Sequence, residues 1–339
     1  MATRPSASDP SASDSASTSP PVRREKHPLY RREYRVATPS IEQFWLLVQR
    51  CLTRRIPGAL IYAHPRFGKT HAIQYLRLLL QREFPTVCTY HVQAEFKPNH
   101  TEGAFFTNLM QAVHVPTSWG HTSNAAKRNL LREKIIEHAH RAQGNWVVFF
   151  VDEAQRFDKN EYEWLRDIHD ALNHYDIRMF VFLVGQPQLL AQKIKLREAG
   201  EAQIVLRFMV EDVQFRGIQS AEDAAVTLQG YDKTEFPEGS GWSYTRFCYP
   251  KAFGAGYRLV NDARALWNAF ARVHDDEKFP GKPEIPMDNF SRAVEYLLLE
   301  APVKDDDDFT IPSAVISKAV TESLYVPAMQ AHCASMQTD

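Results

Sequence analysis

The sequence has no pair of closely spaced cysteines. Cys51, Cys88, Cys248 and Cys333 are scattered along 339 residues, and no C-x-x-C motif occurs. Zinc sites built from cysteine and disulfide frameworks usually show such spacings. The pattern therefore argues against both, and we expect the thiols to be buried or incidental.

Long apolar runs are missing as well. No segment reaches the roughly 18 consecutive apolar residues that can span a bilayer, and the N-terminus has no apolar signal core. We therefore expect a cytoplasmic protein without membrane contact. Its content of 44% hydrophobic and 24% charged residues is ordinary for a globular protein.

The first residues offer little that could be buried. Residues 1–21 are almost entirely Ser, Ala, Asp, Thr and Pro, a composition typical of disorder. We predict a disordered tail over residues 1–29, with order beginning near Tyr30. Thr38 is then predicted to cap a helix whose first residue is Pro39.

The whole chain shows no excess of either charge, but its parts do. The formal net charge is −1, whereas residues 22–55 hold nine Arg or Lys against three Glu. Residues 122–143 hold five bases against two acids, and residues 273–310 hold eleven acids against four bases. This asymmetry permits a basic surface for phosphates and an acidic one for a protein partner, although solvated surface charge explains any single cluster equally well.

Apolar segments alternate with helical patterns through the first two thirds of the chain. Strand-like runs occur at residues 59–63 and 86–93 and within "NWVVFFVDEAQ" and "RMFVFLVGQP", with amphipathic segments between them. Nearly continuous apolar strands of this kind favour a parallel sheet that helices cover on both faces. We therefore predict an α/β core over residues 30–212, a smaller helical lid region over 213–303, and an acidic linker with a C-terminal tail over 304–339.

The segment "AHPRFGKT" matches the phosphate-binding pattern G-x-x-x-x-G-K-[ST] except that Ala63 replaces the first glycine. Gly68 would let the backbone approach the phosphates, Lys69 would bring a charge to them, and Thr70 would bind Mg²⁺. Ala63 matters only if its φ must be positive, because a Cβ makes that conformation costly. The residues predicted to hold ATP are His64, Pro65, Arg66, Phe67, Gly68, Lys69, Thr70 and His71.

The run "VVFFVDE" ends in two carboxylates. At the carboxyl end of a buried strand they would lie at the edge of the sheet where open α/β folds bind ligands. Asp152 is predicted to hold Mg²⁺ and Glu153 to polarise the attacking water. Gln186, in "LVGQP", could orient that water or contact the γ-phosphate, or it could be a turn residue before Pro187.

Three arginines are further candidates for contact with the nucleotide. Arg207, in "QIVLRF", could reach the γ-phosphate held by a neighbouring subunit, or could be a plain surface residue. Arg258, in "GAGYRLVNDARALW", could close over the nucleotide from the lid region. Arg264 is the rival candidate for that role.

Together, "AHPRFGKT", "VVFFVDEAQ", "LVGQP", "QIVLRF" and "GAGYRLVNDA" resemble AAA+ ATPases, over roughly residues 35–272. Within them they resemble the transposition regulators TnsC, TniB and MuB, and most of all TnsC of Tn7-like transposons, including CRISPR-associated ones. The resemblance implies an ATP- and Mg²⁺-dependent ATPase that assembles as a ring or filament on duplex DNA. It also implies recruitment by a TniQ- or TnsD-like target-selection protein and activation of transposase subunits.

If DNA binds, basic residues of the core should contact its phosphates. We predict contacts from Lys97, Lys127, Arg128 and Arg132, although a solvated helix face would look the same. Two other functions share the nucleotide motifs. One is a secretion-associated ATPase of the ExeA type, and the other is a scaffold protein that binds ATP but hydrolyses it weakly.

Overall fold

A computed structural model of the protein describes residues 19–116 and 123–336. Within these residues, five strands form one parallel sheet in the order β2-β3-β4-β1-β5. The strands are β1 (Gly58–Tyr62), β2 (Cys88–Gln93), β3 (Trp146–Asp152), β4 (Arg178–Gly185) and β5 (Glu211–Gln214). The predicted α/β class with a parallel sheet is confirmed.

Helices connect and follow these strands. In the first part of the chain they are α1 (Pro28–Arg31), α2 (Pro39–Arg54), α3 (Lys69–Glu83), α4 (Glu102–Ala112), α5 (Asn124–Arg141), α6 (Lys159–Asn173), α7 (Gln188–Glu198) and α8 (Ala202–Phe208). The second part contains α9 (Ala221–Lys233), α10 (Tyr244–Cys248), α11 (Pro250–Gly254), α12 (Ala263–Asp276), α13 (Met287–Glu295), α14 (Ser313–Glu322) and α15 (Tyr325–Met336). None of the helices in the described residues is both long enough and apolar enough to cross a bilayer.

Helices cover both faces of the sheet, and the alternation of side chains along β3 shows why. Phe149 points into an apolar layer shared with α4 to α8, whereas Phe150 points into a second layer shared with α2 and α3. Both layers consist of buried apolar side chains, so the strands are continuous apolar runs in the sequence. The predicted cap of α2 is also present: Thr38 Oγ1 accepts a hydrogen bond from Ile41 N, with Pro39 in the first turn.

A third apolar cluster defines a second structural unit. It joins α9 to α15 and also contains Leu29 and Val36, which lie before the sheet in the sequence. We call residues 38–215 the α/β unit, and residues 19–37 with 216–336 the helical unit. The chain therefore begins in the helical unit, passes through the α/β unit and returns.

Two predicted segment assignments differ from this arrangement. Residues 19–29, assigned to the tail, include part of α1, and Leu29 is fully buried; the rest of that tail lies outside the described residues. Residues 304–336, assigned to a linker and a tail, contribute Phe309, Ile316 and Tyr325 to the apolar cluster of the helical unit. These stretches contain few apolar residues, so the sequence gives only a weak signal of burial there. Their apolar residues pack against partners far away along the chain.

Two chain connections join the units, and these connections are neighbours in space although they lie far apart in sequence. The first connection runs into α2 at Ser40, and the second leaves β5 at Arg216. The Ser40 hydroxyl donates to the carbonyl oxygen of Arg216 at 2.7 Å, and it accepts from the Arg216 amide at 3.2 Å. The side chain of Ser40 therefore fastens the two connections to each other.

Candidate nucleotide site

The loop between β1 and α3 adopts the left-handed conformation at two residues. Arg66 has a φ of 68° and Gly68 a φ of 92°, whereas Ala63 has no positive φ. Ala63 is buried, and its amide donates to the carbonyl oxygen of Gly185 as a continuation of the sheet. The missing first glycine therefore falls at a strand end where alanine fits, and the glycine that the backbone requires is Gly68.

Lys69 holds its ammonium group inside this loop. Its Nζ donates to the carbonyl oxygens of Ala63 at 2.9 Å and His64 at 3.0 Å. Burial lowers the pKa of Lys69, and the carboxylates of Glu153 and Asp152 oppose that shift. A cation and the amino end of α3 thus lie together, and both attract phosphate.

Asp152, at the end of β3, lies directly beside the first turn of α3. Its Oδ2 accepts a hydrogen bond from Thr70 Oγ1 at 2.6 Å. Burial alone would raise the pKa of Asp152, but interactions with His91 and Thr70 outweigh it and the pKa is lowered. His91 Nε2 lies 3.7 Å from Asp152 Oδ2 and has no hydrogen-bond partner among the described residues, although it is buried.

This pair is suited to Mg²⁺. A hydroxyl and an ionised carboxylate supply the hard oxygen ligands that Mg²⁺ prefers, and Mg²⁺ usually takes only one or two protein ligands. The lowered pKa keeps Asp152 ionised at neutral pH. Thr70 and Asp152 are therefore the residues that would hold the ion.

Glu153 is held next to this pair in an unusual conformation. Its φ is 55°, which is costly for a residue with a Cβ and often marks a functional position. Glu153 Oε2 accepts from Gln155 Nε2 at 2.7 Å and from Gln186 Nε2 at 3.2 Å. The structure thus brings Gln186 against Glu153.

Gln155 belongs to the same network, and the sequence analysis did not single it out. Its Oε1 accepts from the Gln186 amide at 3.1 Å, so this one side chain links the ends of β3 and β4. A Cβ on Gly185 would lie 2.4 Å from Gln155 Oε1, so a larger residue there would displace the Gln155 side chain from this hydrogen bond. The sequence signal for this residue is the glutamine that follows the acidic pair in "VDEAQ".

Lys69, Thr70 and Glu153 line a cleft of about 590 Å³ between the two units. The phosphate loop from Pro65 to His71 and Glu153 form one side. Residues of α13 form the opposite side, and Val36, Ile41 and Phe215 line an apolar part. His64 instead contacts α15, where its ring meets His332 edge-on at 4.2 Å.

Arg292 of α13 lines this cleft, whereas Arg258 and Arg264, the candidates from the sequence, do not. Arg258 stacks on the Phe253 ring at 3.6 Å and donates to the carbonyl oxygens of Phe253 and Tyr257. Arg264 is exposed on α12. The helical unit thus faces the cleft through α13, a helix that follows the predicted motif by some 25 residues, and through residues between Arg32 and Val36.

Replacing Arg292 by alanine is expected to weaken ATP binding roughly 5- to 30-fold, because a charge-assisted hydrogen bond to phosphate is lost. Isothermal titration with ATP and Mg²⁺ measures the change. Arg264→Ala is the matched control, since it removes the same group from a position outside the cleft. Equal affinities of the two variants would refute the role of Arg292.

Arg207 lies on α8, away from the cleft of its own chain. Its guanidinium donates to Asp170 Oδ2 at 3.0 Å and is partly exposed. Leu206, beside it, is 69% exposed. Any contact between Arg207 and a nucleotide therefore requires a second chain.

The four residues predicted to contact DNA all have partners within the chain. Lys97 pairs with the buried carboxylate of Glu161 at 3.1 Å, and Lys127 donates to Thr107 Oγ1 at 2.9 Å. Arg128 pairs with Glu102, and Arg132 lies over the Tyr175 ring. Their positive charges support the packing of α5 and of the loop after β2, which weakens the case for DNA contacts here.

One segment of the chain matches a known family of domains. Residues 57–192 match the family described as "AAA domain", and this range contains the loop, Asp152, Glu153 and Gln186. The fold agrees with that class.

Several solved structures are similar to this chain. The ORC2 protein of Aeropyrum pernix in ADPNP–ADP complexes is 12% identical with a TM-score of 0.48, over 88% of this chain and 71% of that one. The ORC1 protein of the same organism in complex with DNA is 13% identical, with a TM-score of 0.40 over 85% and 78%. AMPPCP-bound DnaA from Aquifex aeolicus is 10% identical, with a TM-score of 0.37 over 90% and 91%. No curated protein matches the chain in sequence.

Proposed function

We propose that the protein is an ATP-driven switch that acts on duplex DNA as a regulator of transposition. ATP binding in the cleft would favour assembly of several chains on DNA, and hydrolysis would reverse it. The observation that supports the ATPase part is that Lys69, Thr70 and Glu153 line one cleft, with Asp152 hydrogen-bonded to Thr70 behind it. The resemblance of the five sequence motifs to transposition regulators supports the DNA part.

In this proposal the side chains divide the work of hydrolysis. Lys69 and the amides of the loop bind the phosphates, while Thr70 and Asp152 hold Mg²⁺, which supplies positive charge to the phosphate oxygens. Glu153 accepts the proton of the attacking water. Gln155 and Gln186 keep the Glu153 carboxylate in place through the two hydrogen bonds described above.

Assembly would place Arg207 of one chain near the cleft of the next. There it would exchange its partly exposed partner Asp170 for phosphate and stabilise charge in the transition state. Such a site is complete only between two chains. ATP hydrolysis would then depend on protein concentration.

The DNA contacts need cations that are not already paired. Among the described residues, Arg23, Arg24 and Lys26 form no ion pair, and they lie in the basic stretch 22–55. We therefore favour this stretch over Lys97, Lys127, Arg128 and Arg132 as the surface that meets DNA phosphates. A transposase and a target-selection protein are the further partners that the family resemblance suggests.

The test is ATP turnover with and without double-stranded DNA at two salt concentrations. We expect DNA to stimulate turnover several-fold at low salt, and the stimulation to fall as salt rises because phosphate contacts release counterions. Lys69→Ala should abolish turnover in every condition. An ATP turnover rate that does not change when DNA is added would reject the DNA role but not the ATPase assignment. That result would favour a secretion-type ATPase. Binding of ATP without turnover would favour the scaffold alternative.

A further inference from the structure

Asp288 places a negative charge inside the cleft that is to receive the phosphates. It lies in the first turn of α13 and lines the cleft with Arg66 and Arg292. Asp288 Oδ2 is 3.7 Å from Arg66 NH1 and 3.3 Å from Arg292 NH2. One carboxylate therefore binds two guanidinium groups, one from the phosphate loop and one from the helical unit.

The side chain of Asp288 is not needed to dock α13 on the loop. The backbone already does this, because Asp288 N donates to the carbonyl oxygen of Arg66 at 3.2 Å. Met287 also lies close to the loop, because a Cβ built on Gly68 would be 3.5 Å from Met287 Cβ. The Asp288 side chain is 37% exposed, so it does not fill space in a buried core either.

A polyphosphate and Asp288 would compete for the same cations. Arg66 and Arg292 are the arginines that α13 and the loop bring to the cleft beside Lys69. Phosphate oxygens bind guanidinium groups as a carboxylate does, and two anions at one site repel each other. The repulsion grows with the charge of the ligand, so it acts more on a triphosphate than on a diphosphate.

We propose that Asp288 is a specificity-determining residue that limits the affinity of the cleft for ATP by competing for Arg66 and Arg292. It acts through the two arginines and does not take part in bond cleavage. The inference rests on the proposed binding of ATP in this cleft. Its consequence is that a nucleotide is released more readily than the number of cations around the cleft would suggest.

The experiment measures the Kd of the full-length protein for ATP and for ADP, each with Mg²⁺, by isothermal titration. Asp288→Asn is expected to tighten ATP binding roughly threefold to tenfold, since two partly exposed ion pairs no longer compete. The gain in affinity for ADP should be smaller than the gain for ATP. The gain for ATP should shrink when Arg292→Ala is combined with Asp288→Asn. Asp288→Glu should restore an affinity near that of the parent protein.

Three further variants make the outcome decisive. Asp288→Ser removes the charge with a different side chain and should repeat the gain. Glu222→Gln removes an acid from the first turn of α9, outside the cleft, and controls for the general effect of one charge fewer. Lys69→Ala should lose ATP affinity in the same titration. If Lys69→Ala loses affinity, unchanged or weaker ATP binding by Asp288→Asn and Asp288→Ser overturns the role of Asp288 but not the proposed function. A parent protein that fails to bind ATP overturns the proposed function together with it.

Discussion

Replacing Glu153 by glutamine is expected to lower ATP turnover about 10²- to 10³-fold while ATP still binds, as for the loss of a general base. Glutamine keeps the length and planar end of the side chain. Its amide oxygen can still accept from Gln155 Nε2 and Gln186 Nε2, so the local arrangement persists. What disappears is the ability to take a proton from water.

Single-turnover release of phosphate measures the chemical step, and titration with ATP measures binding separately. Glu163→Gln makes the same chemical change on the surface of α6, where Glu163 pairs with Arg166, and should leave both values near those of the parent protein. We also expect ATP-dependent assemblies of Glu153→Gln to persist, because hydrolysis no longer reverses them. Turnover at the parent rate would show that another group activates the water.

The largest loss of stability is expected for Glu161→Gln. The carboxylate of Glu161 is buried and accepts from Lys97 Nζ at 3.1 Å, from His100 Nδ1 at 2.7 Å and from Asp158 N at 3.1 Å. Glutamine would leave the Lys97 ammonium, itself mostly buried, without a negative partner. Breaking a buried pair in this way costs about 3–5 kcal/mol in the free energy of unfolding.

Urea denaturation of both variants on α6 tests this value. Glu163→Gln, which breaks an ion pair of partly exposed side chains, should cost about 1 kcal/mol or less. Adding Lys97→Met to Glu161→Gln should recover part of the loss, because the uncompensated charge is removed. A difference of less than about 1 kcal/mol between the two single variants would mean that water reaches the Glu161 site and screens it.

Parts of the site that lie close together in sequence or follow a strand could be predicted. Gly68, Lys69 and Thr70 are consecutive in the chain. Asp152 ends β3 and Glu153 follows it, and five apolar residues mark that strand as buried. Parallel strands bring their carboxyl ends to one edge of the sheet, so these residues had to meet. The same reasoning gave the sheet and most of its helices.

Parts that depend on which distant surfaces pack together could not be predicted. Arg258 sits in a recognisable motif, yet it is Arg292, without a motif, that faces the cleft. The charge of Lys97 looks available in the sequence, but Glu161, far along the chain, neutralises it. A pattern of charges does not reveal its partners, and these are set by tertiary contacts.

The two chain connections joined by Ser40 limit how the helical unit can move. A body attached at two adjacent points retains one easy rotation, about the line through those points, and resists sliding and twisting. Thr38 and Phe215, next to these points, both line the cleft, so the axis of that rotation runs along its rim. Turning about it would carry α13 toward or away from the phosphate loop without breaking either hydrogen bond between Ser40 and Arg216.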